Sequence, residues 1–260
     1  MKKATALLTA WIFWLWMITP APAQTMIVGR HRQVKAGAAT PAFVDAKSSA
    51  TYINSAPGTV SAAAQNVTAG NGLIVGCGVN YLDATTTPST SVSVTDTAGD
   101  TFTYAASKGE INGARGISVF YVKSSLGNAS NVVVCHSTTT VAFVSAFAVQ
   151  VSSPGNLDAT PSGSQYNSSS TLTTGSFTTI RAAEIGLCFL NSSWSGTNNS
   201  FTAGSGYTIP VNGQVAYNTS QNFSAVEYQI FSSIQTSVTA SMAASASPAS
   251  IGSEMQCVTF

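Results

Sequence analysis

The sequence contains Asn71-Gly-Leu-Ile-Val-Gly-Cys-Gly-Val-Asn80 and, later in the chain, Ala182-Ala-Glu-Ile-Gly-Leu-Cys-Phe-Leu-Asn191. When the two stretches are aligned, Cys77 falls on Cys188, and Asn80 falls on Asn191. Each stretch is a short apolar run with little alternation between apolar and polar residues. This pattern predicts two central β-strands, each covered on both faces.

Two further blocks repeat in the same order. Thr97-Ala-Gly-Asp-Thr-Phe-Thr103 corresponds to Thr202-Ala-Gly-Ser-Gly-Tyr-Thr208, and Val119-Phe-Tyr121 corresponds to Val226-Glu-Tyr228. One matching block would carry little weight, whereas three blocks in the same order indicate an internal duplication.

The rest of the chain consists of short β-type runs bounded by Gly, Asn, Asp, Ser and Thr, without long stretches of helical periodicity. We therefore predict an all-β protein, an antiparallel jelly-roll-like β-sandwich with an internal pseudo-twofold duplication. Its halves would be residues 41–152 and 153–260. Two tandem immunoglobulin-like sandwiches are the alternative, because each half has the size of one such domain.

The N-terminus has the pattern of a secretory signal peptide. Lys2 and Lys3 precede an apolar run over Ala4–Ile18, and Ala21-Pro-Ala23 supplies the small residues of a cleavage site. The run is shorter than the roughly 20 residues that span a membrane, although an uncleaved anchor is the alternative. We expect a bacterial signal peptide over 1–23, a flexible leader over 24–40, no membrane span after cleavage, and a secreted or cell-surface location.

Charged residues make up only 7% of the chain. Loss of Lys2 and Lys3 with the signal peptide would leave 10 − 2 = 8 basic residues against 9 acidic ones. The excess positive charge that nucleic-acid binding requires is absent, so the sequence predicts no nucleic-acid partner. No motif in the chain calls for a cofactor.

Four cysteines, Cys77, Cys135, Cys188 and Cys257, lie in strand-like stretches. No pair has the Cys-x-x-Cys spacing of zinc or redox sites. Export permits disulfides, and we favour one bridge within each half, Cys77–Cys135 and Cys188–Cys257. A Cys77–Cys188 bridge at the pseudo-axis and four reduced, buried cysteines are the alternatives.

The repeated blocks resemble a recurring, largely uncharacterised group of bacterial secreted or cell-surface β-sandwich modules. Members of that group show a Gly-Asn-Leu-Leu-Val strand followed by a Val-Ser-Asp-x-x-Gly-Asn-Thr-Tyr-Thr pattern. The equivalents in this chain are Asn71–Val75, Val94–Thr103, Phe120–Lys123, Ala182–Gly186 and Ala203–Thr208. Asp100 stands where the group usually has Asn, and the four cysteines also depart from the pattern. The resemblance implies a secreted or surface context and carries no catalytic residues with it.

The sequence predicts that the protein is not an enzyme. A Ser-His-Asp hydrolase requires a histidine beside an activated serine, and the only histidines are His31 in the leader and His136. A Gly-x-Ser-x-Gly nucleophile elbow is missing, and two histidines cannot form a three-histidine metal site. The strand acids show no short two-carboxylate motif typical of glycosidases.

Asp96 and Asp100 flank Thr-Ala-Gly and are weak candidates for calcium ligation. In the second copy, Phe201 and Ser205 occupy the corresponding positions. Since both copies retain Ala and Gly but not the acids, we favour a turn in which Gly supplies a positive φ.

Three residues are candidate ligand contacts. Tyr81 follows Asn80, and Trp194, the only tryptophan beyond the leader, lies shortly after Asn191. Aromatic side chains in such loops stack on sugar rings, although they also fold back on a sandwich edge. Glu227 stands where the first copy has Phe120, so it either faces solvent on its strand or is recruited for binding.

These features favour a secreted or cell-surface binding or adhesion module that contacts glycans or another cell-surface polymer without catalysis. The alternative is a structural or self-associating extracellular protein. Exposed loop aromatics would favour the first function, and an unprotected edge strand would favour the second.

Overall fold

A computed structural model describes residues 39–55, 57–81, 88–109, 115–166, 170–192, 200–217, 222–245 and 252–260. The predicted signal peptide and nearly all of the predicted leader lie outside these ranges. Residues Ala38–Phe260 form one compact unit. No helix within the described ranges is long and apolar enough to cross a membrane.

The first half of this unit is built from antiparallel strands and one turn of helix. In chain order these are β1 (Ala42–Ser55), β2 (Gly58–Ser61), β3 (Gln65–Val67), β4 (Gly72–Tyr81), α1 (Pro88–Ser91), β5 (Val92–Asp96), β6 (Thr103–Gly109), β7 (Arg115–Val122), β8 (Asn128–Asn131), β9 (Val133–Ser137) and β10 (Val141–Ser152). They form a five-stranded sheet in the order β1-β10-β4-β7-β6, a three-stranded sheet β2-β9-β5, and the pair β3-β8.

The second half has a similar order of strands, most of which are shorter than those of the first half. It contains β11 (Ser164–Tyr166), β12 (Thr171–Thr173), β13 (Glu184–Ser192), β14 (Phe201–Thr202), β15 (Gln214–Ala216), β16 (Phe223–Phe231), β17 (Ser241–Ala244) and β18 (Ser253–Thr259). The five-stranded sheet has the order β11-β18-β13-β16-β15, and the three-stranded sheet has the order β12-β17-β14.

The two halves have corresponding strand orders. Matching β4 with β13 and β7 with β16, as the repeated sequence blocks require, also aligns the remaining strands of both sheets. Along each half the chain passes repeatedly between the five-stranded and the three-stranded sheet. The antiparallel sheets confirm the predicted all-β, sandwich-like class, and the jelly-roll-like arrangement and the duplication stay predictions. Strands of the two halves do not mix within any described sheet, so apolar packing and hydrogen bonds between side chains and backbone, instead of shared sheets, hold the halves together.

Three apolar cores account for the burial of β4 and β13 on both faces. Leu73, Val75 and Cys77 face a core between the two sheets of the first half, and Cys188 and Leu190 face the equivalent core of the second half. A third core lies between the two five-stranded sheets and contains residues of both halves, including Ile74, Phe147, Ile185, Leu187, Phe189, Val258 and Phe260. The alternation of side chains along each strand therefore divides the apolar run between two cores.

Gly76 allows the two five-stranded sheets to approach closely. A Cβ atom at this position would collide with the ring of Phe189, which is fully buried in the third core. The absence of a side chain on β4 thus leaves the space that the phenylalanine of β13 fills.

We expect Gly76→Ala to destabilise the protein by about 1–3 kcal/mol, the usual cost of overpacking a core. In a Phe189→Leu background the same substitution should cost much less, because the ring that it meets is gone. Denaturant unfolding of the four variants of this cycle measures the coupling. Equal costs of Gly76→Ala in both backgrounds would contradict this packing.

Each half contains one disulfide, and the pairing is the one favoured from the sequence. Cys77–Cys135 joins β4 to β9 and so links the two sheets of the first half. Cys188–Cys257 joins directly opposed residues of the neighbouring strands β13 and β18. The first bridge therefore crosses a core, whereas the second lies within one sheet.

Candidate functional site

The two strands that carry the predicted loop aromatics end side by side. β4 ends at Tyr81 and β13 ends at Ser192. The Asn191 Nδ2 atom donates to Asn80 Oδ1 at 3.0 Å and to the backbone oxygen of Val79 at 3.2 Å. Trp194 lies outside the described residues, as does the side chain of Tyr81. The structure thus brings together the strand ends from which both residues follow.

A buried polar network fastens these strand ends. Ser224 Oγ donates to Asn191 Oδ1 at 3.1 Å and contacts Ser145 Oγ at 2.9 Å. Asn80 Nδ2 donates to Asn222 Oδ1 at 2.6 Å. Asn191, Ser145 and Ser224 are fully buried, and the network crosses from one half to the other. Because buried polar groups that are hydrogen-bonded to one another fix a geometry, this end of the molecule is a rigid base.

An exposed pair of tyrosines lies beside this network. The rings of Tyr52 on β1 and Tyr217 after β15 have centroids 5.7 Å apart, and they remain 49% and 42% exposed. Buried Phe143 packs edge-on against Tyr217, with centroids 6.4 Å apart, and is opposite both Tyr52 and Asn80 in the sheet. The backbone nitrogen of Tyr217 donates to the backbone oxygen of Asn222, and Asn222 belongs to the polar network through its side chain. We call Tyr52 and Tyr217 the tyrosine surface.

No pattern in the sequence predicts the tyrosine surface. Tyr52 and Tyr217 belong to different halves and lie in segments that were not predicted as strands. Only the face-to-face packing of the two five-stranded sheets brings the edge strand β1 against β15. A further contact of this kind is the hydrogen bond from Ser48 Oγ to the backbone oxygen of Asn212, at 2.7 Å.

Glu227 does not face solvent, and that interpretation of the sequence was wrong. The residue is fully buried on β16, opposite Cys188, on the face that lines the core of the second half. Its Oε2 accepts a hydrogen bond from the Gly204 nitrogen at 2.9 Å, whereas Oε1 and the nearby Tyr207 hydroxyl have no hydrogen-bond partner among the described residues. Burial raises the pKa of Glu227 to about 7.

A second buried acid, Glu184, lies at the junction of the halves. Its Oε1 accepts from Arg181 Nε at 2.9 Å. Burial, followed by the neighbouring Asp158 carboxyl, raises the pKa of Glu184 to about 7, although Arg181 opposes the shift. Asp158 in turn accepts from the Ile180 nitrogen at 2.7 Å. These contacts hold the start of β13 to the segment that connects the halves, which is a structural role.

Asp96 and Asp100 are used within the fold. Asp96 Oδ1 accepts from the Asp100 nitrogen at 2.9 Å, and Asp96 Oδ2 accepts from Asn131 Nδ2 at 2.9 Å. Asp100 accepts from Ser125 Oγ at 2.5 Å and from the Leu126 nitrogen at 2.8 Å. Gly99 between them has a φ of 80°. The geometry is that of a turn whose carboxylates cap neighbouring backbone, in line with the favoured interpretation.

His136 also has a local partner. Its Nε2 atom lies 2.7 Å from Thr95 Oγ1 on the adjacent strand β5. Among the described residues, no group of three or more His, Cys, Asp and Glu side chains could hold a metal ion. His31 lies outside the described ranges.

No family model matches the chain, and no curated protein or solved structure matches it either. The resemblance to bacterial surface modules therefore stays a prediction.

Proposed function

We propose that the chain is a secreted or cell-surface binding module that contacts glycans through the tyrosine surface. The observation that carries this proposal is the position of two half-exposed tyrosines at the strand ends from which Tyr81 and Trp194 follow. Exposed aromatic rings on a rigid scaffold lose little conformational entropy on binding and present flat apolar faces with polar tips. Such faces suit the apolar faces of sugar rings.

Support also comes from the base beneath the rings. The network of Asn80, Asn191 and Ser224 fixes the strand ends, and Phe143 fixes the ring of Tyr217. A ligand would therefore meet a surface that is largely formed before binding. We propose binding without catalysis at this surface, because the carboxylate of Glu227 is fully buried in another core and cannot reach a ligand there.

A glycan array tests the proposal. We expect the wild-type chain to give discrete signals that Tyr52→Ala and Tyr217→Ala each abolish or weaken strongly, and Trp194→Ala to reduce them as well. Leu126→Ala is the matched control, because Leu126 is an exposed apolar side chain, 67% exposed, near the opposite ends of the strands. Unchanged signals for both tyrosine variants would reject the tyrosine surface as the site.

Self-association is the second candidate function, and β1 favours it. This strand spans Ala42–Ser55 and pairs with β10 on one side only, among the strands of the described chain. A long edge strand with an open side is a template for pairing with a second copy. It carries one ion pair, Lys47 with Asp45 at 2.8 Å, and irregularities near both ends, which blunt such an edge.

Light scattering at increasing protein concentration separates the two candidates. Self-association through β1 predicts a rise in mass that Ala50→Pro prevents, since proline removes a backbone donor. If the protein stays monomeric at all concentrations and still binds glycans, self-association is rejected and the binding function is retained.

A further inference from the structure

The open edge of β1 carries one pair of opposite charges. Lys47 Nζ lies 2.8 Å from Asp45 Oδ2, and both side chains are part-exposed. Between them, the Ala46 backbone nitrogen donates to Asp45 Oδ1 at 2.8 Å. An open edge can accept a further strand, and the charges that such a strand meets decide which register is accepted.

The order of these two charges is complementary to itself. If two copies of β1 run antiparallel with Ala46 opposite the partner's Ala46, then Asp45 lies opposite the partner's Lys47, and Lys47 lies opposite the partner's Asp45. A centre shifted by one residue places either Asp45 opposite the partner's Asp45 or Lys47 opposite the partner's Lys47. Because directly opposed like charges are destabilising, the pair selects the register centred on Ala46.

An exposed apolar turn lies beside the same stretch of β1. The chain reverses over residues 210–213 in a hydrogen-bonded turn, in which Asn212 has a φ of 61°. Val211 in this turn is 85% exposed, the largest exposed fraction among the large apolar side chains of the described residues. Ser48 Oγ donates to the Asn212 oxygen at 2.7 Å, which fastens the turn to β1 two residues from Ala46.

A twofold axis at Ala46 would bring the turns of both copies together. In this register Val44, which is 45% exposed, lies near the partner's Ser48, the residue that holds the partner's turn. Two exposed valines of each copy are therefore removed from water by the arrangement that pairs the charges. The charge order and the exposed apolar side chains thus favour the same partner and the same centre.

We propose that the edge of β1 docks a second copy of the chain, in an antiparallel pairing centred on Ala46 with Val44 and Val211 at the interface. The five-stranded sheets of the two first halves become one continuous sheet. The Ala46 N–H exchanges the Asp45 carboxylate for a backbone oxygen of the partner strand, and Asp45 turns to the partner's Lys47. The contact is isologous and closes at two copies. The dimer rests on the self-association that β1 favours and adds its register and contacts.

The dimer would also make glycan binding bivalent. Tyr52 lies six residues beyond Ala46 on β1, so the tyrosine surfaces of the two copies lie on opposite sides of the axis. Their separation along the strands is about 40 Å, from the rise of a β-strand. Two sites held at a fixed distance bind one polymer with a higher apparent affinity than either site alone.

Sedimentation equilibrium of the chain from Gln24 onward, at increasing concentration, tests the interface. We expect the wild-type chain to reach the mass of a dimer and no more. Asp45→Lys and Lys47→Asp should each raise the dimer Kd about tenfold, because each replaces two pairs of opposite charges by two pairs of like charges. An equimolar mixture of these variants should regain the dimer, because the lysines of one copy then lie opposite the aspartates of the other. Lys108→Asp is the matched control, on the other edge of the same sheet.

Val211→Ser should weaken the dimer as well, whereas Ile180→Ser should not, although Ile180 is 71% exposed. A wild-type chain that stays monomeric overturns the proposal, as does a mixture of the two charge variants that associates no better than either alone. Association that Ala50→Pro prevents but the charge variants leave unchanged would keep β1 as the edge and reject the register centred on Ala46.

Glycan binding is a separate readout. Tyr52→Ala and Tyr217→Ala should leave the dimer Kd unchanged, and Asp45→Lys should leave the affinity of each site for a soluble glycan unchanged. Loss of the dimer with retained glycan binding therefore rejects this interface alone. A dimer that gives no glycan signal rejects the tyrosine surface alone.

Discussion

Removal of the Cys77–Cys135 disulfide is expected to lower the free energy of unfolding by about 4 kcal/mol, if the bond acts by restricting the unfolded chain. The two cysteines are 58 residues apart in sequence, so the bridge closes a long loop and links the two sheets across their shared apolar core. Denaturant unfolding of Cys77→Ala/Cys135→Ala against the wild-type chain measures the loss. The alanines also leave small cavities, which add to the cost.

The second disulfide provides the control. Cys188 and Cys257 are 69 residues apart, so the same relation gives a loss of about 4 kcal/mol for Cys188→Ala/Cys257→Ala. Reduction of the wild-type chain retains all four sulfur atoms and isolates the effect of the cross-links. An unfolding midpoint that is unchanged on reduction would contradict a stabilising role for either bridge, and peptide mapping without reduction verifies the pairing itself.

Glu227 is expected to make the protein more stable at pH 5 than at pH 8. Its pKa in the folded chain is about 7, against an ordinary value of 4.5, so folding favours the protonated carboxyl. This contribution is fully present below pH 4.5 and is lost as the pH rises through about 7. The shift corresponds to about 3 kcal/mol between the two limits. Glu184, with its pKa also raised to about 7, acts in the same direction and the same pH window.

Glu227→Gln is the variant that isolates this effect. Glutamine keeps an oxygen for the hydrogen bond from the Gly204 nitrogen but carries no charge at any pH. We expect the melting temperature of Glu227→Gln to exceed that of the wild-type chain at pH 8 and to fall less between pH 5 and pH 8. Parallel curves for the two proteins across this range would show that the carboxyl of Glu227 does not titrate with folding.

The central strands could be predicted from the sequence because each is a continuous apolar run. Leu73–Asn80 was expected and lies within β4, and Ile185–Asn191 lies within β13. β1 was missed because its small and polar residues lack both the apolar run and the alternation of a half-buried strand, as suits an edge. Residues 207–211 include strand-forming residue types but form no strand, because Pro210 cannot donate to a ladder, and Val211 is 85% exposed in a turn.

One feature of the sequence indicates that Glu227 is buried. Its counterpart in the first half is Phe120, which is nearly buried and belongs to the core of that half. Equivalent positions in duplicated halves face equivalent cores, so the phenylalanine indicated the interior. By contrast, the tyrosine surface depends on how the halves pack. A single sequence carries no pattern for such contacts between distant segments.

We propose that glycans bind at the ends of β4 and β13, beside Tyr52 and Tyr217. Backbone chemical-shift mapping of the labelled chain from Gln24 onward, titrated with the glycan that gives the strongest array signal, tests it directly. We expect the largest chemical-shift changes at Tyr52, Tyr217 and Asn222, and none around Leu126. Unchanged chemical shifts of these three residues, while other residues respond to the bound glycan, would contradict binding at this surface.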